Sequence, residues 1–142
     1  MVLLLALALL QPPTVGQILV ATQKSRDPDL AKSVVLVIHS DSDGVIGLIL
    51  NRPRGNSACF GGPIPLGQRT LVASGQTGKI LDGVYMTSTT KDPSGRTYIG
   101  YVGWSPQQVT DEISRGLWRV VPGAASVVFD SHPETLWKRL SS

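Results

Sequence analysis

The chain of 142 residues has one cysteine, two histidines, two methionines and two phenylalanines. With Cys59 alone, an internal disulfide and a cysteine-based zinc cage are both excluded. A nucleophilic role for Cys59 would need a histidine base, and only His39 and His132 exist to supply one. Neither histidine stands in an HxxxH or HxxE pattern, so no metal site is expected. There is no G-x-S-x-G elbow, no G-x-G-x-x-G and no G-x-x-x-x-G-K-S/T, which leaves hydrolase-elbow and phosphate-cradle readings without support. No cofactor is expected. Internal repeats, low-complexity tracts and any apolar run of the ~20 residues that a bilayer span needs are also missing.

Charge is scarce too. Charged residues make up 16% of the chain, against about 25% in soluble domains. The formal net charge of +3 is mild and its basic residues are scattered, which argues against nucleic acid as a partner. Hydrophobic residues reach 42%, enough for a packed core in one domain of this length. Fifteen glycines and ten prolines imply many tight turns and a strand-rich fold.

Residues 1–13 form an apolar leader. "MVLLLALALL" matches the apolar region of a secretory signal, although it has no basic residue ahead of it. The expectation is an exported, periplasmic protein whose domain spans residues 14–142. The alternative is a cytoplasmic protein with a buried N-terminal segment.

Along the domain, 16–22 reads as a short strand and "RDPDLAKS" as one helical turn capped by Asp27 with Pro28 at its start. "SVVLVIHS" (33–40) is a nearly continuous apolar run, the pattern of a strand buried on both faces. It returns through "DSDG" (41–44) into 45–53, which makes a hairpin whose turn residues tolerate positive φ. Residues 54–68 read as a loop rich in glycine and proline. Strands are expected at 69–74, 83–89, 96–104, in "LWRVV" and at 125–130, with a turn at 91–95. Ser105, Pro106 and Gln108 open the clearest helix, whose Val109, Ile113 and Leu117 make an apolar stripe. A last helix, capped by Ser131 and Glu134, faces Leu136, Trp137 and Leu140 inward. The fold class is α/β (α+β): a single domain with a mixed, mostly antiparallel sheet and two or three short helices packed on it.

Three stretches invite chemistry. "DSDG" imitates the start of a calcium loop, but its first ligand position is His39 and its twelfth is Leu50, so a hairpin turn is the better account. "NRPRG" (51–55) sets two guanidiniums around a proline. It is either an anion clamp or a set of side chains that pin a corner by bonding loop carbonyls. Tyr98, Tyr101 and Trp104 could stack bases, yet Asp111 and Glu112 follow at once and would repel phosphate, so the aromatics read as core.

The segments "GQILVAT", "RDPDLAKSVVLVIHSDSDGVIGLILNRP", "GGPI" and "YIGYVGWSPQQVTDEISRGLW" together resemble the YqgE/AlgH family, also called UPF0301, from Gly16 to about Leu140. The distinguishing marks are G-L-x-x-N-R-P, G-G-P, G-Y-x-G-W and E-x-x-x-G-x-W. The resemblance implies one α/β domain without established enzymatic activity, and for some members a label of transcriptional regulator. It also implies longer connections than 54–60 and 91–95 provide here, and a glycine where Pro106 stands.

The expected function is a non-catalytic, ligand- or protein-binding regulatory domain, its partner an unidentified small ligand or protein. Because the family's marks cluster in the loops, the candidate binding residues are Asn51, Arg52, Gly62, Pro63 and Trp104. No catalytic residue is assigned. The alternatives are the transcriptional regulator and a hydrolase using Asp41, Asp43 or His39 near Arg52.

Overall fold

The computed structural model describes residues 11–55, 58–87 and 94–141. The leader up to residue 10, most of the expected turn at 91–95 and the end of the strand at 83–89 lie outside them. Nine strands form one curled sheet: β1 (Ile18–Ala21), β2 (Val34–Asp41), β3 (Gly44–Ile49), β4 (Cys59–Phe60), β5 (Ile64–Val72), β6 (Lys79–Leu81), β7 (Val84–Thr87), β8 (Arg96–Trp104) and β9 (Trp118–Val121). Their order is β6-β7-β5-β8-β3-β2-β1-β9, and β4 lies beside β8. Every pairing is antiparallel except β4 with β8. Three short helices complete the domain: α1 (Pro106–Ser114), α2 (Ala125–Val128) and α3 (Leu136–Leu140). A 3₁₀ turn at Pro133–Thr135 leads into α3. The α+β expectation holds.

The apolar runs of β1, β2 and β3 have a simple cause. Side chains on a strand alternate between its faces, and here both faces are covered. Ile18, Val20, Val34, Leu36, Ile38, Leu48 and Leu50 enter one core, inside the curl, which Val128 of α2 and Leu136 of α3 close. Leu19, Ala21, Val35, Val37, Val45 and Ile49 enter a second core outside it, with Trp104, Trp118 and Val109 of α1. Each fully buried aliphatic side chain contributes about 1.5–3 kcal/mol. The sheet curls far enough that its two ends meet. A Cβ on Gly16, just before β1, would lie 2.8 Å from the Ile80 carbonyl oxygen of β6.

The β2–β3 hairpin pairs Asp41 with Gly44. Its turn uses no positive φ. The Asp41 carboxylate takes that role, accepting from the amides of Asp43 (2.8 Å) and Gly44 (3.1 Å). Those amides, Asp43 first, hold its pKa below the usual carboxylate range.

Three expectations need correction. Residues 125–128 form α2, not a strand. Over so short a run, β-branched residues on one buried face do not distinguish strand from helix. The stretch 54–68 is not all loop, since it holds β4 and the first half of β5. Between Ile64 and Gln68 the register shifts, so Pro65 and Gly67 are tolerated within a strand. At the C-terminus Ser131 is not the cap: the 3₁₀ turn has His132 at its N-cap and α3 has Thr135, neither with a side-chain cap bond, while the Asp130 carboxylate accepts from the His132 amide at 2.8 Å. The same carboxylate binds Arg139 of α3 through both oxygens, at 3.0 and 2.8 Å.

Arg139 is the main cause holding the Asp130 carboxyl below its usual range, followed by the His132 amide. A depressed carboxyl stabilises the fold above its unfolded pKa, and that contribution disappears as pH falls through the folded pKa. Asp130→Asn is therefore expected to lower stability at pH 7 by under about 1 kcal/mol, as for solvent-screened pairs. In denaturant melts the gap between the two proteins should narrow as pH falls below the ordinary aspartate value of about 3.9. A gap that does not narrow with acidification contradicts the assignment. A second prediction concerns Gly62, where a Cβ would sit 2.2 Å from the Tyr101 carbonyl carbon of β8. Backbone cannot yield as a side chain can, so Gly62→Ala should cost about 3 kcal/mol or more. Gly55→Ala, with open space around it but φ +58°, should cost about 1–2 kcal/mol. Equal losses in equilibrium unfolding would refute the close approach.

Candidate functional site

Asn51 and Arg52 follow β3 at the end of the hairpin where β2 begins. The Asn51 side-chain oxygen accepts from the Val34 amide at 3.0 Å, and its amide nitrogen donates to the Lys32 carbonyl at 2.8 Å. Arg52 Nη2 donates to the Ala31 carbonyl at 3.0 Å and to Ser33 Oγ at 3.2 Å. Lys32 is the one non-glycine residue of positive φ (59°) among the described residues. Such a conformation costs of order 1–2 kcal/mol and persists where the surroundings fix it. Asn51 and Arg52 supply that fixing, so they pin the corner.

Backbone contacts link this corner to the other candidates. The Phe60 amide donates to the Arg52 carbonyl at 3.0 Å, and the Gly61 carbonyl accepts from Ile49 at 2.9 Å. Gly62 then lies against Tyr101 of β8, while Pro63 is exposed. Trp104, at the end of β8, is buried in the outer core. Its indole Nε1 donates to Glu112 Oε1 at 3.2 Å, and Trp118 Nε1 donates to the same oxygen at 2.9 Å. The two rings meet edge to face, with centroids 5.8 Å apart. Glu112 thus gives both buried indoles their acceptor. Sequence reasoning used Glu112 only as a charge that repels phosphate; the signal was a carboxylate eight residues after one tryptophan and six before another.

The hydrolase grouping is not assembled. His39 Nε2 lies 2.8 Å from Asp41 Oδ2, but both side chains are about half exposed at the turn of the hairpin. Arg52 is tied to Ser33 at the hairpin's other end. Seven residues lie between Ser33 and Asp41 along β2, a separation of about 26 Å at ~3.3 Å per residue step.

Several features were missed in the sequence. Ile99, in the middle of β8, is 50% exposed, and Leu66, in the irregular part of β5, is 62% exposed. Arg54 lies over the Phe60 ring at 4.7 Å, and Arg69 lies over Tyr101 at 5.0 Å. Two buried polar atoms, Arg69 Nη1 and Tyr98 Oη, have no hydrogen-bond partner among the described residues. A shallow groove of ≈ 440 Å³ runs along α1, lined by Pro12, Pro106, Gln107, Thr110, Asp111 and Ser114. No three His, Cys, Asp or Glu side chains group as metal ligands among the described residues.

This is a single α+β domain of a class already represented among solved structures. The crystal structure of protein DIP2367 from Corynebacterium diphtheriae aligns with a TM-score of 0.77 at 21% identity, covering 90% of this chain and 85% of that one. The solution structure of the AlgH protein from Pseudomonas aeruginosa aligns with a TM-score of 0.73, also at 21% identity, covering 93% and 86%. Residues 18–142 match the family model described as DUF179, AlgH-like, and the chain belongs to that family. A UPF0301 protein of Methylococcus capsulatus is 30% identical over 160 residues, covering 88% of each chain. Another, from Streptomyces avermitilis, is 29% identical over 161 residues. An alignment of 160 positions exceeds the 142 residues of this chain, so the relative carries segments that this chain lacks.

Glu112→Ala leaves two buried indole N–H groups without an acceptor. It is expected to cost about 2 kcal/mol or more, the range for losing bonds to a charged group. Glu112→Gln keeps an oxygen there and should cost clearly less. Equal losses in denaturant unfolding would show that the shared acceptor is unimportant.

Proposed function

We propose that this domain is a non-catalytic binding module that recognises an acidic, apolar segment of a protein partner on the outer face of β4, β8 and β5. The observation that carries this reading is Ile99, half exposed at the centre of the sheet on a strand that is otherwise mostly covered. Phe60 pairs beside it on β4 and Gln68 on β5, with Leu66 exposed in the adjoining irregularity. Large exposed apolar side chains grouped on one surface are typical of interaction sites.

Charge points to the partner's chemistry. Arg54 lies over the Phe60 ring beside Ile99, and residues 44–81 and 93–110 contain no Asp or Glu to offset it. A carboxylate next to an apolar side chain complements such a surface. Base stacking is disfavoured because guanidiniums already occupy a face of both Phe60 and Tyr101. A regulatory role of the kind attached to some family members would then work through a protein partner rather than through DNA. Asn51, Arg52 and Gly62 shape the corner that supports this surface, and exposed Pro63 lies at its border.

The test is selection from a random peptide library on the wild-type domain, with counter-selection on Ile99→Glu. Peptides pairing an acidic residue with a large apolar one are expected to be enriched, and their binding should weaken with salt and with Arg54→Glu. Enrichment of basic peptides, or equal binding to the Ile99 variant, would overturn the reading.

A further inference from the structure

On the opposite face of the same strands lies a second arrangement, independent of the Ile99 surface. Tyr98 is wholly buried, and among the described residues its phenolic O–H has no acceptor; the Arg96 guanidinium acts on it, but as a donor, and works against the effect of burial. Cys59 is its direct neighbour across the parallel β4–β8 pairing. It packs against the same inner core and remains partly exposed. Arg96, two residues before Tyr98, shares its face. Two of the guanidinium N–H groups are taken, since Nη1 donates to the Val128 carbonyl at 3.2 Å and Nη2 donates to the Asp130 carbonyl.

We propose that Tyr98, Cys59 and Arg96 form a subsite for one carboxylate group of a small ligand, entered past Cys59. Buried polar groups in folded proteins are almost always hydrogen-bonded, so a buried phenolic O–H without an acceptor, beside a charged side chain and a partly exposed cysteine, calls for one. Burial is the largest cause raising both the phenol and the thiol above their ordinary values. At neutral pH both are protonated donors, and what they can hold is an acceptor. Arg96 supplies the countercharge. A phosphate dianion fits less well, because one guanidinium already engaged by two carbonyls cannot offset its desolvation. A monovalent carboxylate asks for one phenolic hydrogen bond and one nearby positive charge. No covalent step is involved.

The probe is sodium acetate, compared with sodium chloride at equal ionic strength, on the full chain. The readout is the rate at which iodoacetamide alkylates Cys59, together with the melting temperature. Acetate at about ten times its dissociation constant is expected to slow alkylation about tenfold and to raise the melting temperature. Chloride should do neither. Tyr98→Phe keeps the ring, and with no orphan hydroxyl it should fold at least as stably; acetate should neither protect its cysteine nor raise its melting temperature. Equal protection in wild type and Tyr98→Phe, or none in wild type at molar acetate, would overturn the proposal. Ile99→Glu should leave acetate protection intact, so this result is separate from that of the peptide selection.

Discussion

Burial of β1, β2 and β3 on both faces at once is the constraint from which the rest of the molecule follows. A strand covered on one side alternates apolar and polar residues, whereas these three do not alternate. Their odd and even positions feed two different cores, one inside the curl and one under α1. Such a strand has no solvent side, so its backbone polar groups must be satisfied by neighbours. The sheet meets that demand by pairing β2 with β1 and β3, by pairing β1 also with β9, and by drawing its ends together near Gly16 and Ile80.

Polar side chains near these strands serve the same end. Asn51 takes the Val34 amide where β2 starts, and Arg52 holds the turn that delivers the chain to it. Glu112 sits at the edge of the outer core and accepts two indole N–H bonds that would otherwise be buried without partners. Thr22 donates to the Gly116 carbonyl and ties the end of β1 to the end of α1. The Trp137 indole donates to the Ala21 carbonyl at 2.7 Å and docks α3 on the same strand. Residues that look like chemistry in the sequence are thus largely anchors.

Much of this was legible. The run from Val34 to Ile38 announced a strand buried on both sides, and Ser105 with Pro106 announced α1, where Ser105 Oγ accepts from the Gln108 amide at 3.1 Å. The corner-pinning reading of Asn51 and Arg52 is the one their hydrogen bonds show. What stayed hidden depended on long-range placement. Val127 and Val128 follow strand chemistry, yet their segment closes a core whose shape is set by strands a hundred residues earlier, and a helix fits there. Proline and glycine in 61–67 suggested loop, but β8 offers that segment an edge to pair with. Glu112 is unremarkable on a helical wheel and acquires its role only when Trp104 and Trp118 meet across the fold. The exposure of Ile99 is likewise a matter of what does not cover it, which no local pattern encodes.

The functional picture divides the sheet. Its β1–β3 half is covered on both faces, while the β4–β8–β5 half is covered on one face and, around Ile99, leaves the other exposed. Amide hydrogen exchange under native conditions tests this division most directly, because it reports the opening free energy of each segment. The account predicts that amides of β1, β2 and the paired part of β3 exchange only through global unfolding. Amides of β5, β6 and β7 should open at lower free energy. Exchange that is slowest in β5–β7, with β1–β3 opening first, would contradict the claim on which the structure has been explained.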